Sequence, residues 1–487
     1  MSFSADHPHR AVSEDSLASD PLKGTRGTSF LACYCSMCNT ILGAGVLSLP
    51  YAFSITGWVT GTVLLSIGGL FNSTGCNLLA LCAAKCGTPA SLYSIMRPLG
   101  KWWTLAVDIN IVVQLFGTAV AYLIVVGDLM PAAFEQLGAT GAVTKRQTCV
   151  LLAFCFAAPL SCPHDIKWLG TTSGFSVFFL IYVAFLVFLF SLPSESTHMD
   201  PCTHQDLDDD TVNCKGSTQL GDDVNAIEFL EAMSIFIFGF ASQITTFPIV
   251  NELVDVSQKR LNQVFMASTL TGMALYIVVS FCAYSTYGDS IKSDLLLNYP
   301  KVPAVSAARI MISFVVTFSF PLQINPTRRC ILTILRNFID DDKPVKKSIQ
   351  NIRYWIITVL FLMGALGLAL TVTDLGIVIA LVGAFGGTLI MFILPGYLFL
   401  YHFPLSSSGE HVPFGIEDEG LEKVLLAEDR ESLTRLEGRD VAMNIENSLG
   451  RDVPYPVVTK RDRMFAWIHL ILGIIVGPLC CIAIFLN

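Results

Sequence analysis

The sequence predicts an all-α membrane protein of eleven transmembrane helices, ten of them in two five-helix sets and one C-terminal helix beyond. Three observations predict it. The 487 residues are 53% hydrophobic and only 14% charged, too little charge to clothe a soluble globule of this size. Apolar runs of about twenty residues, the length that crosses a hydrocarbon core at ~1.5 Å per residue, recur along the chain. Two of those runs, the first and the sixth, are broken by glycine and proline at corresponding places in the two sets.

The runs lie near residues 30–54, 57–84, 103–131, 147–163, 169–191, 228–250, 262–287, 305–325, 352–373, 376–401 and 464–486. The fourth is short and ends at Pro159 and Pro163. Residues 1–27 are a polar tail with no apolar stretch before a cleavage site, so no secretory signal is expected there. The expected organisation is a cytoplasmic tail (1–27), a core of ten helices (28–401), a charged cytoplasmic loop (402–463) and the eleventh helix (464–487).

Lys and Arg in short loops set the orientation. With the N-terminus cytoplasmic, the inner loops carry Lys85, Arg97, Lys101, Lys167, Lys259, Arg260, Arg328, Arg329, Arg336, Lys343, Lys346, Lys347 and Arg353, against Lys145, Arg146, Lys215, Lys292 and Lys301 outside. Thirteen against five favours that orientation and puts the C-terminus outside. The net charge of −9 comes from acids in tails and loops, and suggests no nucleic-acid partner.

Segment one contains Asn39, Gly43, Ala44, Gly45, Val46, Leu47, Ser48 and Pro50, and segment six contains Gly239, Phe240, Ser242, Gln243 and Pro248. Glycine weakens a helix and proline removes an amide donor, so both segments are expected to unwind near the bilayer centre. Unwound backbone is tolerated there only where it lines a cavity or the protein interior. Matched breaks in two halves point to a carrier built from inverted repeats, in which half-helix N-termini face an anionic group and freed carbonyls face a cation. The bland alternative is a pair of proline kinks with glycines for close packing. Gly43, Ala44, Gly45, Val46, Leu47, Gly239, Phe240, Ser242 and Gln243 are the candidate substrate-binding residues. The breaks hold no ionisable side chain to offset a charged substrate, so a neutral zwitterion fits best.

The run NTILGAGVLSLPYAF from Asn39, with GTAVAYLIVVGD from Gly117, FGFASQITTFP from Phe238, DLLLNYP from Asp294, SFPLQINPTRR from Ser319 and DLGIVIALVGAFGGTLIMFILPG from Asp374, resembles the amino acid/auxin permease family. It is most similar to the sodium-coupled neutral amino acid transporters, over about residues 28–400. The resemblance implies the leucine-transporter-like 5+5 inverted repeat with the eleventh helix outside it, and amino acid transport coupled to sodium or protons. It carries the family's sodium-associated asparagine onto Asn39 and its hydroxyl residue in helix eight onto Ser319, with Thr317 as an alternative. An amide oxygen, a hydroxyl and carbonyls near Gly43 suit a hard monovalent cation. The competing role for Asn39 is an interhelical hydrogen bond. Some relatives carry histidine in the stretch around Gln243, which leaves substrate preference open.

Asp108 and Asp128 in segment three read either as proton or cation sites or, as favoured, as solvated or capping groups near a helix end. Glu228 and Glu231 are expected at the outer start of segment six. Cys33, Cys35 and Cys38 lie on more than one helix face without histidine or acid partners, and read as small buried hydrophobes rather than a metal site. Cys202 and Cys214, in the acidic outer loop 192–227, are expected to form a disulfide. Asn72 has the glycosylation pattern but lies inside segment two. A sensor of the same fold and a channel are the rival classes; no repeated carbonyl filter supports the channel. No nucleophile–base pair or metal-ligand set supports an enzyme. The expected partners are an amino acid and the bilayer of the plasma, lysosomal or vacuolar membrane, with no cofactor beyond the coupling ion.

Overall fold

The computed structural model describes residues 28–43, 45–86, 90–163, 172–192, 216–218, 225–339, 346–404 and 458–486. These are helical but for connecting turns and one isolated bridge between Thr28 and Leu253. Among the described residues, eight helical stretches are long and apolar enough to cross a membrane, and three shorter apolar helices accompany them. Ala44, Cys202 and Cys214 lie outside the described residues, so the expected disulfide falls there too.

Segment one is split. Helix α1 (Phe30–Leu42) starts on a Ser29 cap and stops at Gly43, whose amide still bonds back to the Asn39 carbonyl. Helix α2 (Gly45–Cys86) then restarts the chain and contains Pro50 in its first turns. At Gly57 the backbone turns to φ 73°, a conformation that a side chain would resist, and this joint separates the end of segment one from segment two. Helix α3 (Lys101–Gln136) and helix α4 (Arg146–Ser161) form an antiparallel pair, and α5 spans Thr172–Ser191.

Segment six is split in the same way. Helix α6 (Ala226–Phe240) opens on an Asn225 cap and ends in non-helical backbone at Ala241; a turn at Gln243–Thr245 leads into α7 (Thr246–Glu252). Helices α8 (Gln258–Tyr287), α9 (Pro303–Phe338) and α10 (Lys347–Thr371) follow. Segment ten is α11 (Leu375–Val382) and α12 (Leu394–His402), with wide π turns between. There a Cβ on Gly383 would lie 2.0 Å from the Ser234 carbonyl oxygen of α6, so only glycine allows this approach. The last helix is α13 (Lys460–Leu486).

Helix α9 runs thirteen residues beyond its predicted end at 325. The arginines that mark a loop in the sequence belong to that extension. Arg328 is buried, donates to the Ser161 carbonyl of α4, and stacks 4.3 Å over the Tyr354 ring of α10. A charge thus held by a carbonyl and a π face can sit inside a helix bundle.

The packing places the two split segments together in the middle. Helix α2 lies against α6 and α8, and α1 against α8 and α5, while α3 runs along α9 with α4 beside them. The chain ends of the split segments also meet: the Thr28 amide donates to the Glu252 carbonyl (2.6 Å), and the Val254 amide to the Thr28 carbonyl (3.1 Å).

Candidate functional site

The breaks bring four half-helix ends to one place. Helices α1 and α6 arrive with their C-terminal carbonyls, and α2 and the turn before α7 leave with their N-terminal amides. The last carbonyls and first amides of a helix have no partner within it, and carry partial negative and positive charge. The approach is close: a Cβ built on Gly45 would stand 3.0 Å from both the Gly239 Cα and the Tyr276 hydroxyl. Among the nine candidate substrate residues, the structure therefore gathers Gly43, Gly45, Val46, Leu47, Gly239, Phe240, Ser242 and Gln243 at this junction.

Their roles separate. Phe240 is fully buried, and its ring packs edge-on against Tyr276 at 5.4 Å and beside Gly68 of α2. Ser242 and Gln243 point into α2: the Ser242 hydroxyl donates to Asn72 Oδ1 at 2.8 Å and Gln243 Nε2 to the same oxygen at 3.2 Å. Asn72 Nδ2 in turn donates to the Thr269 hydroxyl of α8 at 2.9 Å. This fully buried asparagine thus ties the second break to two other helices. Gln243 Oε1 and the Thr246 hydroxyl are buried without a hydrogen-bond partner, leaving acceptor capacity at the second break.

Tyr276, on α8 two turns from Thr269, reaches both breaks with one hydroxyl. It donates to the Ile41 carbonyl of α1 and to the Gly239 carbonyl of α6, the latter at 3.0 Å. Thr245 Oγ1 also donates across to Thr40 Oγ1 at 3.2 Å. From the opposite side, the Tyr122 hydroxyl of α3 stands 3.4 Å from where a Gly43 Cβ would be, and takes a 3.5 Å contact from Gln323 Nε2 of α9.

The residues assigned to sodium by resemblance are less closely joined. Asn39 Oδ1 is buried with no hydrogen-bond partner, so the rival interhelical bond is not made by that oxygen. Ser319 is buried on α9, one helical turn from Gln323 and so on the same face. The Thr317 hydroxyl is already spent on the Ser313 carbonyl (2.6 Å).

The acids of segment three depart from the favoured expectation. Asp128 is ion-paired to Arg146 at 2.8 Å, and Arg146 also donates to the Ala369 and Val372 carbonyls, so α4 neutralises this carboxylate inside the protein. Asp108 is buried two turns into α3, where no cap is needed, and its Oδ2 lacks a partner. It sits about 21 Å along α3 from Tyr122 at 1.5 Å per residue, too far to serve the breaks directly. Cys33 and Cys38 are buried as expected but Cys35 is only half-buried, because the three cysteines spread over more than one face of α1; no metal-binding group of histidines, cysteines or acids occurs among the described residues.

Sequence reasoning finds both breaks and misses the residues around them. Asn72, Thr269, Tyr276 and Tyr122 lie within long unbroken runs whose polar members cannot be ranked by pattern. The only sequence signal for Asn72 is a glycosylation triplet in a place no glycosylation enzyme reaches.

Two comparisons bear on this geometry. Residues 26–411 match the family described as transmembrane amino acid transporter protein. The chain is 28% identical to vacuolar amino acid transporter 5 of Schizosaccharomyces pombe, covering 76% of this chain and 84% of that protein. It is 26% identical to vacuolar amino acid transporter 6 of Saccharomyces cerevisiae, over 74% of this chain and 87% of that one. It is also 28% identical to human sodium-coupled neutral amino acid transporter 7, over 76% and 78% respectively. These relatives are named as transporters, not enzymes.

Proposed function

Since this chain is a multi-pass membrane protein belonging to the transmembrane amino acid transporter protein family, we propose that it is a secondary active transporter of neutral amino acids that works by alternating access around its two broken helices. The observation that carries this reading is the convergence of two negative and two positive half-helix ends at a junction where, among the described residues, the two broken stretches carry no acidic, basic or histidine side chain. A zwitterion matches such a site: its carboxylate takes the free amides at the start of α2 and before α7, and its ammonium takes the carbonyls at the ends of α1 and α6. A charged substrate side chain would be buried there without a counter-charge, at a cost that excludes it.

The coupling ion is sodium or a proton. Asn39 Oδ1, buried and unpartnered one turn before the first break, supports sodium, with Gly43 and Ser319 as its further contacts. Helix order supports eleven spans in which α1 to α5 and α6 to α12 form two inverted five-helix repeats and α13 stands outside them. Two relatives named for the vacuole support a vacuolar-type membrane.

Uptake of labelled neutral amino acids into proteoliposomes, with sodium and pH gradients imposed separately, tests the reading. Saturable accumulation that follows one gradient is the expected result. Binding without flux would overturn it.

A further inference from the structure

We propose that the Tyr276 hydroxyl competes with the substrate's ammonium group for the Ile41 and Gly239 carbonyls, and so sets the transporter's affinity and its demand for an α-amino group. The proposal rests on the reading that an amino acid is handled at the breaks.

The geometry is specific. The Ile41 and Gly239 carbonyls are last-turn carbonyls of α1 and α6, each without the amide that a continuous helix would supply. One phenol hydroxyl serves both. It has a single proton, so two acceptors at negatively polarised helix ends share one neutral donor. An ammonium group brings three N–H donors and a positive charge, and charge-assisted hydrogen bonds are about twice as strong as neutral ones. The carbonyl pair is therefore held well enough to close the junction and weakly enough to be taken by the right ligand.

The surroundings fix the phenol in this competing position. Tyr276 is fully buried, with its ring edge-on to Phe240 and its hydroxyl 3.0 Å from the missing Cβ of Gly45. Seven residues earlier on the same face of α8, Thr269 is bonded to Asn72. Tyr276 thus reports to both breaks from a helix that is itself unbroken.

The consequence for selectivity follows from donor counts. A 2-hydroxy acid matches an amino acid in its carboxylate and side chain but offers one uncharged O–H. It gains nothing over the phenol it would displace, so the wild-type protein should reject it. With the phenol hydroxyl gone, that disadvantage shrinks.

The experiment is transport of a labelled neutral amino acid by the full-length protein in proteoliposomes, with the matching 2-hydroxy acid as competitor. Wild type, Tyr276→Phe, and protein carrying 3-fluorotyrosine at 276 are compared, the last keeping the ring while making the hydroxyl a stronger donor. Tyr276→Phe should lower KM roughly three- to tenfold, the size of one net neutral hydrogen bond, and make the hydroxy acid a better inhibitor. The fluorinated protein should shift KM the other way. Wild-type uptake with KM unchanged or raised in Tyr276→Phe overturns this proposal and leaves the transporter reading intact. If Tyr276→Phe does not fold, an unchanged or lower KM in the fluorinated protein overturns it. Absence of uptake by the wild type overturns both.

Discussion

Replacing Asn72 by alanine removes three hydrogen bonds to other elements at once, those from Ser242 and Gln243 and the one to Thr269, besides a weak one from Cys76 Sγ on its own helix. Each surviving partner is buried. Left entirely unpaired, such groups would cost about 1–3 kcal/mol apiece. Truncation, however, opens room for a water among three polar groups, and side-chain hydrogen bonds between membrane helices average only about 0.6 kcal/mol. The lower figure governs, giving about 2 kcal/mol for the three, or roughly a thirtyfold change in equilibrium constant. Part of that cost should fall on folding and part on the shape of the second break. Thermal unfolding in detergent should therefore show a lower midpoint, and uptake a raised KM. Thr269→Val loses only the bond on the far side of Asn72, and should destabilise by about a third as much with little change in KM. A double-mutant cycle between Asn72→Ala and Ser242→Ala should return a coupling of about 0.6 kcal/mol. Wild-type unfolding together with wild-type KM in Asn72→Ala would refute the assignment of Asn72 as the support of the break.

Further outcomes follow from other residues. Asn39→Ala should weaken the sodium dependence of uptake severalfold while leaving the amino acid KM at saturating sodium nearly unchanged; an unaltered sodium response would remove Asn39 from the ion site. Asp294, between α8 and α9, is buried and its carboxyl is pushed up to about 8 by desolvation, with the Asp128 charge adding to the rise and the Leu296 amide and Arg309 opposing it. A raised acid favours the protonated folded state, so its stabilisation is complete below the ordinary carboxyl range and is lost as pH rises through about 8. The melting temperature should fall from about pH 5 to about pH 9 in the wild type and fall less in Asp294→Asn; parallel curves would contradict this. A non-reducing peptide map should recover Cys202 and Cys214 as one linked species, and two free thiols would discard the bridge.

The breaks were legible because glycine and proline act locally. Gly43, Gly45 and Pro50, or Gly239 and Pro248, weaken a helix whatever surrounds them. The joint at Gly57 was legible only as a gap between runs, since its φ depends on how α2 folds back. The support of the breaks was not legible, because its contacts join residues far apart in sequence: Asn72 meets Gln243, and Tyr276 meets Ile41. Nothing in the composition of α2 or α8 marks those polar residues over their neighbours. Arg328 misled for the same reason, since an arginine at the end of an apolar run reads as a loop until Ser161 and Tyr354 are seen to hold it.

The central claim is that substrate is handled where the two breaks meet, and Gly45 tests it most directly. A methyl there would press on the Gly239 backbone, which cannot swing aside as a side chain could. Uptake of a labelled neutral amino acid by Gly45→Ala proteoliposomes, in protein whose unfolding midpoint stays close to that of the wild type, should be abolished or nearly so. Wild-type uptake in that variant would contradict the claim.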